Sequence, residues 1–473
     1  MKNTQPIWDH VDIYREDFIG LANRVFDTPE TLYAEYKSVA EHRKMLEAKG
    51  FRVTNEAADL PTAVLGEAGD SGPVIAILGE FDALPMLSQE PGLAAPKPLM
   101  DGANGHGCGH NLLGSAALMA ATAVKDWLAE TGIKARVRYY GCPAEEGGAA
   151  KTFMVRAGLF DDVDAAISWH PSNVTCVNQA NSLANARIDF TFHGIASHAA
   201  ATPELGRSAL DGAELMNIGI NYLREHMPDS ARVHYAYVDA GGPAPNVVQA
   251  KATIRQLIRA ATLPELRDLV TRVHKIAEGA ALMTETKLTH RVFSSVSNLI
   301  GNRPLEEAMQ AELEKLGPVP FDKTDRAFAS EIQTTLTDKD IATAYTSVGL
   351  KPRKDLPLCD FLLPLDFERI GSSGSTDVGD VSWAVPTVQA RVATMAMGTP
   401  IHTWQVVAQG KSGAAHKGMT YAAKVMAATA QRLIEDPALL TAAQAEHQAY
   451  LAESPYICPM PEDTQPTLAP PPD

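Results

Sequence analysis

Apolar and polar positions along the chain fall into two textures. Up to about residue 60 the chain reads as helical, with Tyr33–Lys49 carrying apolar residues at mixed three- and four-residue spacings. Short apolar runs then alternate with helices. Gly72-Pro73 opens a strand at Val74–Leu78, Leu112–Glu130 is a long Ala-rich helix, and Ala135–Tyr140 alternates like a strand. Lys151–Leu159 has a helical pattern and Ala165–Trp169 is a further strand. Strand, helix, strand, helix, strand predicts an α/β fold, a mostly parallel sheet flanked by helices.

The texture changes near residue 185. Arg187–Phe192 alternates, Gly206–Arg224 is amphipathic, Val233–Val238 and Ala252–Ile258 alternate, Leu263–Ala281 is helical and Thr284–Val292 alternates again. This β-α-β-β-α-β order is that of a ferredoxin-like α+β unit. The expected organisation is a first part of the larger domain over 1–185, an inserted unit over 186–296, and a return to the larger domain over 297–473. The returning segment carries the Gly/Ser loop Gly371–Ser375, a strand around Pro386–Met395 and a helix from about Lys417 to Ile434. Beyond Pro455 a proline-rich tail predicts an irregular strap or disorder.

Composition narrows the function classes. The chain has 473 residues with 41 Lys plus Arg against 57 Asp plus Glu, a net charge of −16. An acidic chain is poorly suited to a phosphate backbone or an anionic bilayer, so neither nucleic acid nor membrane is an expected partner. A small anionic substrate stays open, because one buried Arg outweighs a remote surface field. MKNTQPIWDH has no apolar signal stretch, and a soluble, cytoplasmic protein is expected. Five cysteines in so long a chain form no disulfide framework, and the odd number raises the question of a thiolate ligand.

Open parallel sheets bind ligands at the carboxyl ends of their strands. Gly79-Glu80-Phe81-Asp82 follows the first strand, and Gly105-His106-Gly107-Cys108-Gly109-His110-Asn111 precedes the long helix. Gly141-Cys142-Pro143-Ala144-Glu145-Glu146-Gly147-Gly148 follows the second strand, His170-Pro171 the third, and Gly398-Thr399-Pro400-Ile401-His402 the strand near residue 390. Any one of these is ordinary loop or turn composition. Together they put carboxylate, imidazole and thiol on one edge of one sheet five times over. Cys108, His110, Glu146, His170 and His402 offer S, N, O, N and N donors, suited to one or two first-row divalent ions. Of the neighbours Glu145 and Glu146, one can hold metal while the other faces the water that a metal acidifies. That chemistry is hydrolysis. A zinc nucleobase deaminase would need His-x-Glu and Pro-Cys-x-x-Cys, and neither is present.

The strings NGHGCGHNLLG, YYGCPAEEGG, KTFMVRAGLFDDVDAA, GRSALD, PNVVQA, KIAEGAALMTET, STDVGDVSW, GTPIHTWQ and AHKGM resemble the dinuclear metallo-aminoacylase and carboxypeptidase family, which includes aminoacylases, auxin-conjugate amidohydrolases and hippurate hydrolase. The resemblance implies a zinc-peptidase-like catalytic domain whose inserted ferredoxin-like unit is a lid that also dimerises. It implies Glu145 as general base and Cys108, His110, Glu146, His170 and His402 as ligands of two divalent ions, with Cys108 bridging them. Manganese is the implied metal, with zinc the alternative on the softness of Cys108. Asp82 is implied to orient a neighbouring ligand, and His198 to reach across a dimer to the tetrahedral oxyanion. Asn246 and Arg259 match positions that grip the substrate's carboxylate. The substrate implied is an N-acyl or aryl-acyl amino acid, p-aminobenzoyl-glutamate foremost; a dipeptidase or an amidohydrolase of other acyl specificity is the alternative. The assembly implied is a homodimer through the lid, or a heteromer with a related A-type subunit. Two departures stand out: Glu80-Phe81-Asp82 replaces the His-x-Asp of many relatives, and Asn111 follows the Cys-Gly-His in place of Asp.

Overall fold

The computed structural model describes residues 7–353, 355–368 and 374–471. Residues 371–373 of the Gly/Ser loop lie outside the described residues, as does Pro472 of the tail.

The larger sheet has seven strands: β1 (Arg52–Asn55), β2 (Val64–Ala68), β3 (Val74–Glu80), β4 (Arg136–Cys142), β5 (Ala165–Ser172), β6 (Cys176–Val177) and β11 (Thr387–Ala393). Their order is β1-β2-β4-β3-β5-β11-β6. The four central strands β4, β3, β5 and β11 run parallel, and antiparallel strands close both sides. Buried on both faces, β3 is apolar from Val74 to Leu78, as parallel strands under helices must be. The helical reading of the first 60 residues therefore stops short: Arg52–Asn55 forms an edge strand, exposed at three of its four positions. Helices at Arg303–Leu316, Lys323–Gln333, Asp338–Thr346 and Pro437–Glu453 add to those expected.

Helix His110–Thr131 packs on the sheet with 17 buried residues, from His110 to Leu128. It is long and apolar enough to cross a membrane, yet 83% of its most apolar window is buried inside the protein, which makes it a core helix. Asn111 is buried in its first turn, where its side-chain amide donates to the carbonyls of Ala22 (3.4 Å) and Gly410 (3.3 Å). The residue that departs from the family pattern thus ties the helix start to two other segments.

The second sheet holds β7 (Ala184–His193), β8 (Arg232–Asp239), β9 (Lys251–Ala260) and β10 (Lys287–Val296) in the order β10-β7-β9-β8, antiparallel throughout. Helices Ala209–Leu223 and Leu263–Met283 cover one face and close a separate apolar core around Ile188, Phe190, Ile254 and Val273. The order 4-1-3-2 in chain sequence is the ferredoxin-like arrangement. Asp380 sits where this unit meets the larger sheet, accepting from Thr152 Oγ1 (2.7 Å), Ser297 Oγ (2.7 Å) and Tyr456 OH (2.9 Å). From Tyr456 the tail runs as a strap: Arg156 donates to the carbonyls of Pro461 and Thr464, Arg291 to Thr467, and Tyr36 to the carbonyl of Ala469.

His42 lies fully buried between helix Tyr36–Ala48 and the sheet, 2.8 Å from Tyr139 OH and stacked on its ring. Burial, and then the charge of Arg24, holds its imidazole down from 6.5 to about 3. A folded pKa below the unfolded one means that the unfolded chain binds the proton first. The contribution is therefore complete above pH 6.5 and lost as pH falls toward 3. Denaturant melts between pH 7 and pH 4 will show stability falling with acid, and His42→Gln will flatten that slope. Equal slopes in both proteins would contradict this account.

Candidate metal centre

The four parallel strands deliver their carboxyl ends to one place. Glu80 ends β3, with Asp82 two residues on; Glu145 and Glu146 follow β4; His170 lies near the end of β5; and His402 follows β11. Cys108 and His110 arrive on the loop that opens helix His110–Thr131. That loop needs glycine: Gly109 holds φ +80°, and a Cβ on Gly107 would fall 2.4 Å from Leu87 Cδ1. His402, at φ +61°, is held against the same loop by its N–H, which donates to the carbonyl of Gly107 at 3.0 Å.

Three groups of donor atoms each converge within 4.8 Å: Cys108 with His110 and His170, Cys108 with Glu146 and His402, and Glu80 with His110 and Glu145. The five residues expected as ligands therefore come together, with Cys108 shared by two groups. Asp82 stands behind them: its Oδ1 accepts from His110 Nδ1 at 2.8 Å, and its Oδ2 accepts from the backbone N–H of Glu146 at 2.9 Å. His170 Nδ1 donates to the carbonyl of Pro171 at 2.7 Å. With both Nδ1 protons so engaged, Nε2 of each ring faces inward, as ligation requires. His170 Nε2 is 3.3 Å from Cys108 Sγ, and His402 Nε2 is 3.2 Å from Glu146 Oε1.

The residues fit a cation. Among the described residues, His110 Nε2 and Glu80 Oε2 are buried, lie 3.4 Å apart and make no hydrogen bond, and such atoms are costly to leave unsatisfied. Glu80, Glu145, Glu146 and Asp377 crowd together; among the described residues the fully buried ammonium of Lys151 pairs with Glu80 (2.7 Å) and Asp377 (2.6 Å), and the Arg391 guanidinium lies by Cys108 and His170. Burial and then the negative charge of Glu146 push the Cys108 thiol up, so the thiolate needs an adjacent positive charge. For Glu145, burial together with Glu80, Glu146 and Asp377 holds the carboxyl well above its usual range. Glu146 goes the other way, to about 2: burial opposes ionisation, but the hydrogen bond from His402 and the charge of His110 outweigh it. Two adjacent glutamates with opposite protonation tendencies suit one for proton transfer and the other for ligation.

Three supporting side chains are not apparent from strand-end reasoning. Lys151 and Asp377 lie in the quoted strings KTFMVRAGLFDDVDAA and STDVGDVSW, yet nothing in their spacing indicates that they meet. Glu35, fully buried, accepts from the backbone N–H of Tyr33 (3.0 Å) and of Ala144 (3.1 Å), so it steadies the turn that carries Glu145. Ala144 in that turn holds φ +54°, a conformation that its surroundings must enforce. His198 and Asn246 lie elsewhere. Both are exposed, in paired loops beyond the far ends of β7 and β9, where the Ala199 N–H donates to the Asn246 carbonyl at 3.0 Å. Arg259 sits at the opposite end of β9, paired with Asn185. At the rise of an extended strand, about 25 Å of chain separates Arg259 from the Asn246 end of that strand.

A helix-flanked sheet with these donors at its carboxyl edge suits a metal-dependent hydrolase, and the chain's sequence relatives make it a metallo-amidohydrolase, an enzyme acting on amide bonds. The chain belongs to peptidase family M20/M25/M40, whose sequence profile matches residues 76–345. It is 45% identical over 470 residues to the B-type chain of p-aminobenzoyl-glutamate hydrolase from Escherichia coli (strain K12), covering 97% of this chain and 98% of that one. It is 28% identical over 459 residues to the Xaa-Arg dipeptidase of Mus musculus, covering 94% and 92%. Among solved structures, a dinuclear metal-binding peptidase of the M20 family from Bacillus subtilis matches with a TM-score of 0.57 at 18% identity, over 90% of this chain and 99% of that one.

Stripping divalent ions with a chelator will lower the melting temperature, because the carboxylates then face one another uncompensated, and adding manganese or zinc will restore it. Lys151→Ala will cost about 3–5 kcal/mol of stability, as removal of one partner from a buried ion pair does. Denaturant melts of the metal-loaded protein check this, and a loss under about 1 kcal/mol would contradict it.

Proposed function

We propose that this protein hydrolyses the amide bond of an N-acyl amino acid, with p-aminobenzoyl-glutamate the first substrate to test. The observation that carries the reading is Glu145: a carboxyl held well above its usual range beside Glu80 and His110, within the group of metal-ligating atoms. The relative at 45% identity, named for that hydrolysis, supports the choice of substrate.

Cys108, His110, Glu146, His170 and His402 would hold two divalent ions, manganese by preference and zinc as the alternative. Ions bound there would polarise the amide carbonyl and lower the pKa of water toward about 7. Glu145 takes the proton of the attacking water and returns it to the leaving nitrogen. Asp82 keeps His110 in the tautomer that ligation needs. Arg259 holds the leaving amino acid's carboxylate through a guanidinium fork. His198 donates to the oxyanion and Asn246 to the substrate, both from a second copy of the chain. The distance along β9 supports that sharing: one chain presents Arg259 at one end of the strand and Asn246 at the other. The unit at 186–296 is then both lid and dimer contact. A thiolate ligand and the lack of disulfides among the described residues fit the reducing cytoplasm.

A second reading comes from the name of the relative, which is one chain type of its enzyme: a heteromer with an A-type chain. A dipeptidase of different side-chain preference is the alternative within the same chemistry, in line with the 28% identical relative.

Glu145→Gln is expected to lower kcat by about 10²–10⁴ while the bound metal, measured by elemental analysis, is unchanged. An unaffected rate would remove Glu145 from the role of base. Mixing unfolded and refolded Glu145→Gln with His198→Ala chains tests the shared site. If His198 acts across a homodimer, the mixture regains about one quarter of wild-type activity, since half the dimers have one intact site. No regain would favour action within one chain or with a different partner. Wild-type protein that binds metal but hydrolyses no N-acyl amino acid until an A-type chain is added would establish the heteromer.

A further inference from the structure

The helices of the four-stranded unit cover one face of its sheet; odd-numbered positions of β7 and β9 occupy the other, as their alternating burial requires. Register sets Asp189 opposite Arg255, Arg187 opposite Leu257 and Asn185 opposite Arg259. On β7 and β9 three guanidinium groups therefore share this face with one carboxylate; Arg291 of β10 and Arg232 of β8, paired with Asp189 and Arg259, lie on it too, Arg291 donating to Thr467 Oγ1 and Arg232 to the carbonyls of Asp229 and Ala231. Asp189 is taken by Arg255, which binds it through Nε (2.6 Å) and a terminal nitrogen (2.8 Å) and lies 4.4 Å over the Phe293 ring.

That leaves two. Among the described residues Arg187 makes no hydrogen bond or ion pair; its guanidinium lies 5.9 Å over the Phe293 ring. Arg259 has a buried Nε with no partner. The two are diagonal neighbours across paired strands, roughly 7–8 Å apart at the backbone. Burial, followed by the charges of Arg255 and Arg259, depresses the Arg187 pKa, and Asp189, already bound to Arg255, offsets only part of that. Arg187 stands at the metal centre's edge: a Cβ on Gly147, next to Glu146, would fall 3.3 Å from one of its terminal nitrogens. Half-buried cations in a chain of net charge −16 call for a ligand that brings the negative charge.

We propose that Arg187 is a specificity-determining residue: it receives the side-chain carboxylate of a dicarboxylic leaving amino acid while Arg259 receives the α-carboxylate. The inference rests on the amide-hydrolase reading above and narrows it to conjugates of glutamate or aspartate. A planar guanidinium takes one carboxylate through two parallel hydrogen bonds, so two unpaired guanidinium groups match two carboxylates. A monocarboxylic amino acid would leave Arg187 desolvated and unpaired, which is how a polar site rejects the wrong ligand.

The test is kcat/KM for p-aminobenzoyl-glutamate and p-aminobenzoyl-alanine in the metal-loaded full chain. Arg187→Gln is expected to lower the glutamate-to-alanine selectivity by about 10²-fold, mostly through KM for the glutamate conjugate. Arg187→Lys keeps the charge without the fork and recovers part of that selectivity, while Arg259→Gln slows both substrates. An equal loss on both conjugates in Arg187→Gln, or no change in selectivity, overturns the assignment. If wild-type protein cleaves neither conjugate with or without an A-type chain, the p-aminobenzoyl-conjugate reading fails, and ligand-induced stabilisation decides the carboxylate site independently. Free L-glutamate then raises the melting temperature of wild type more than L-alanine does, and Arg187→Gln abolishes the difference. Equal stabilisation by the two amino acids, or none, overturns the site.

Discussion

Crowded negative charge at the carboxyl edge of the parallel sheet is the constraint on which the structure turns. Glu80, Asp82, Glu145, Glu146 and Asp377 meet there with a thiol and three imidazoles; among the described residues the Lys151 ammonium and the Arg391 guanidinium beside Cys108 and His170 offset only part of that charge. Carboxylates brought out of water at such spacing repel one another strongly, and only bound cations or protons offset that repulsion. The arrangement is thus unstable as a purely protein core and suited to a metal centre. It also accounts for the opposed tendencies of the two adjacent glutamates: Glu146 ionises readily beside His402 and His110, while Glu145 faces Glu80 and Asp377.

Everything around this centre holds it in place against its own charge. Asp82 orients His110 through one oxygen and caps the backbone of Glu146 through the other. Glu35 supports the strained turn at Ala144 from the opposite side. Lys151 links the end of β3 to Asp377, a residue 226 positions later in the chain. Asp380 then ties that segment to Thr152, to Ser297 at the exit of the four-stranded unit, and to Tyr456 at the root of the strap. The junction between the two sheets and the metal centre therefore share one chain of buried polar contacts. A change in either is expected to reach the other.

Much of this was legible in the residues because the signals are local. Alternation and apolar runs mark β3, β4, β5 and the β-α-β-β-α-β insert, and the strand-end rule collects Cys108, His110, Glu146, His170 and His402 from separate places along the chain. Local pattern fails where a neighbour distant in sequence decides the outcome. Arg52–Asn55 has little apolar character and becomes a strand only because Val64–Ala68 offers an edge. Lys151 next to an Ala-rich turn gives no hint that it is fully buried. Arg187 and Arg259 look like solvated charges until register and helix packing turn them to the same uncovered face.

The sequence by itself determined the α/β class, the β-α-β-β-α-β order and which candidate donor residues stand at the strand ends, because periodicity and strand-end composition are properties of short segments. Only the tertiary structure decided which charges go unpaired. Whether a buried carboxylate or guanidinium has a partner depends on segments tens to hundreds of residues apart arriving within about 3 Å. That is how Asp189 comes to neutralise Arg255 and not Arg187, and how His198 and Asn246 come to lie far along the strands from Arg259.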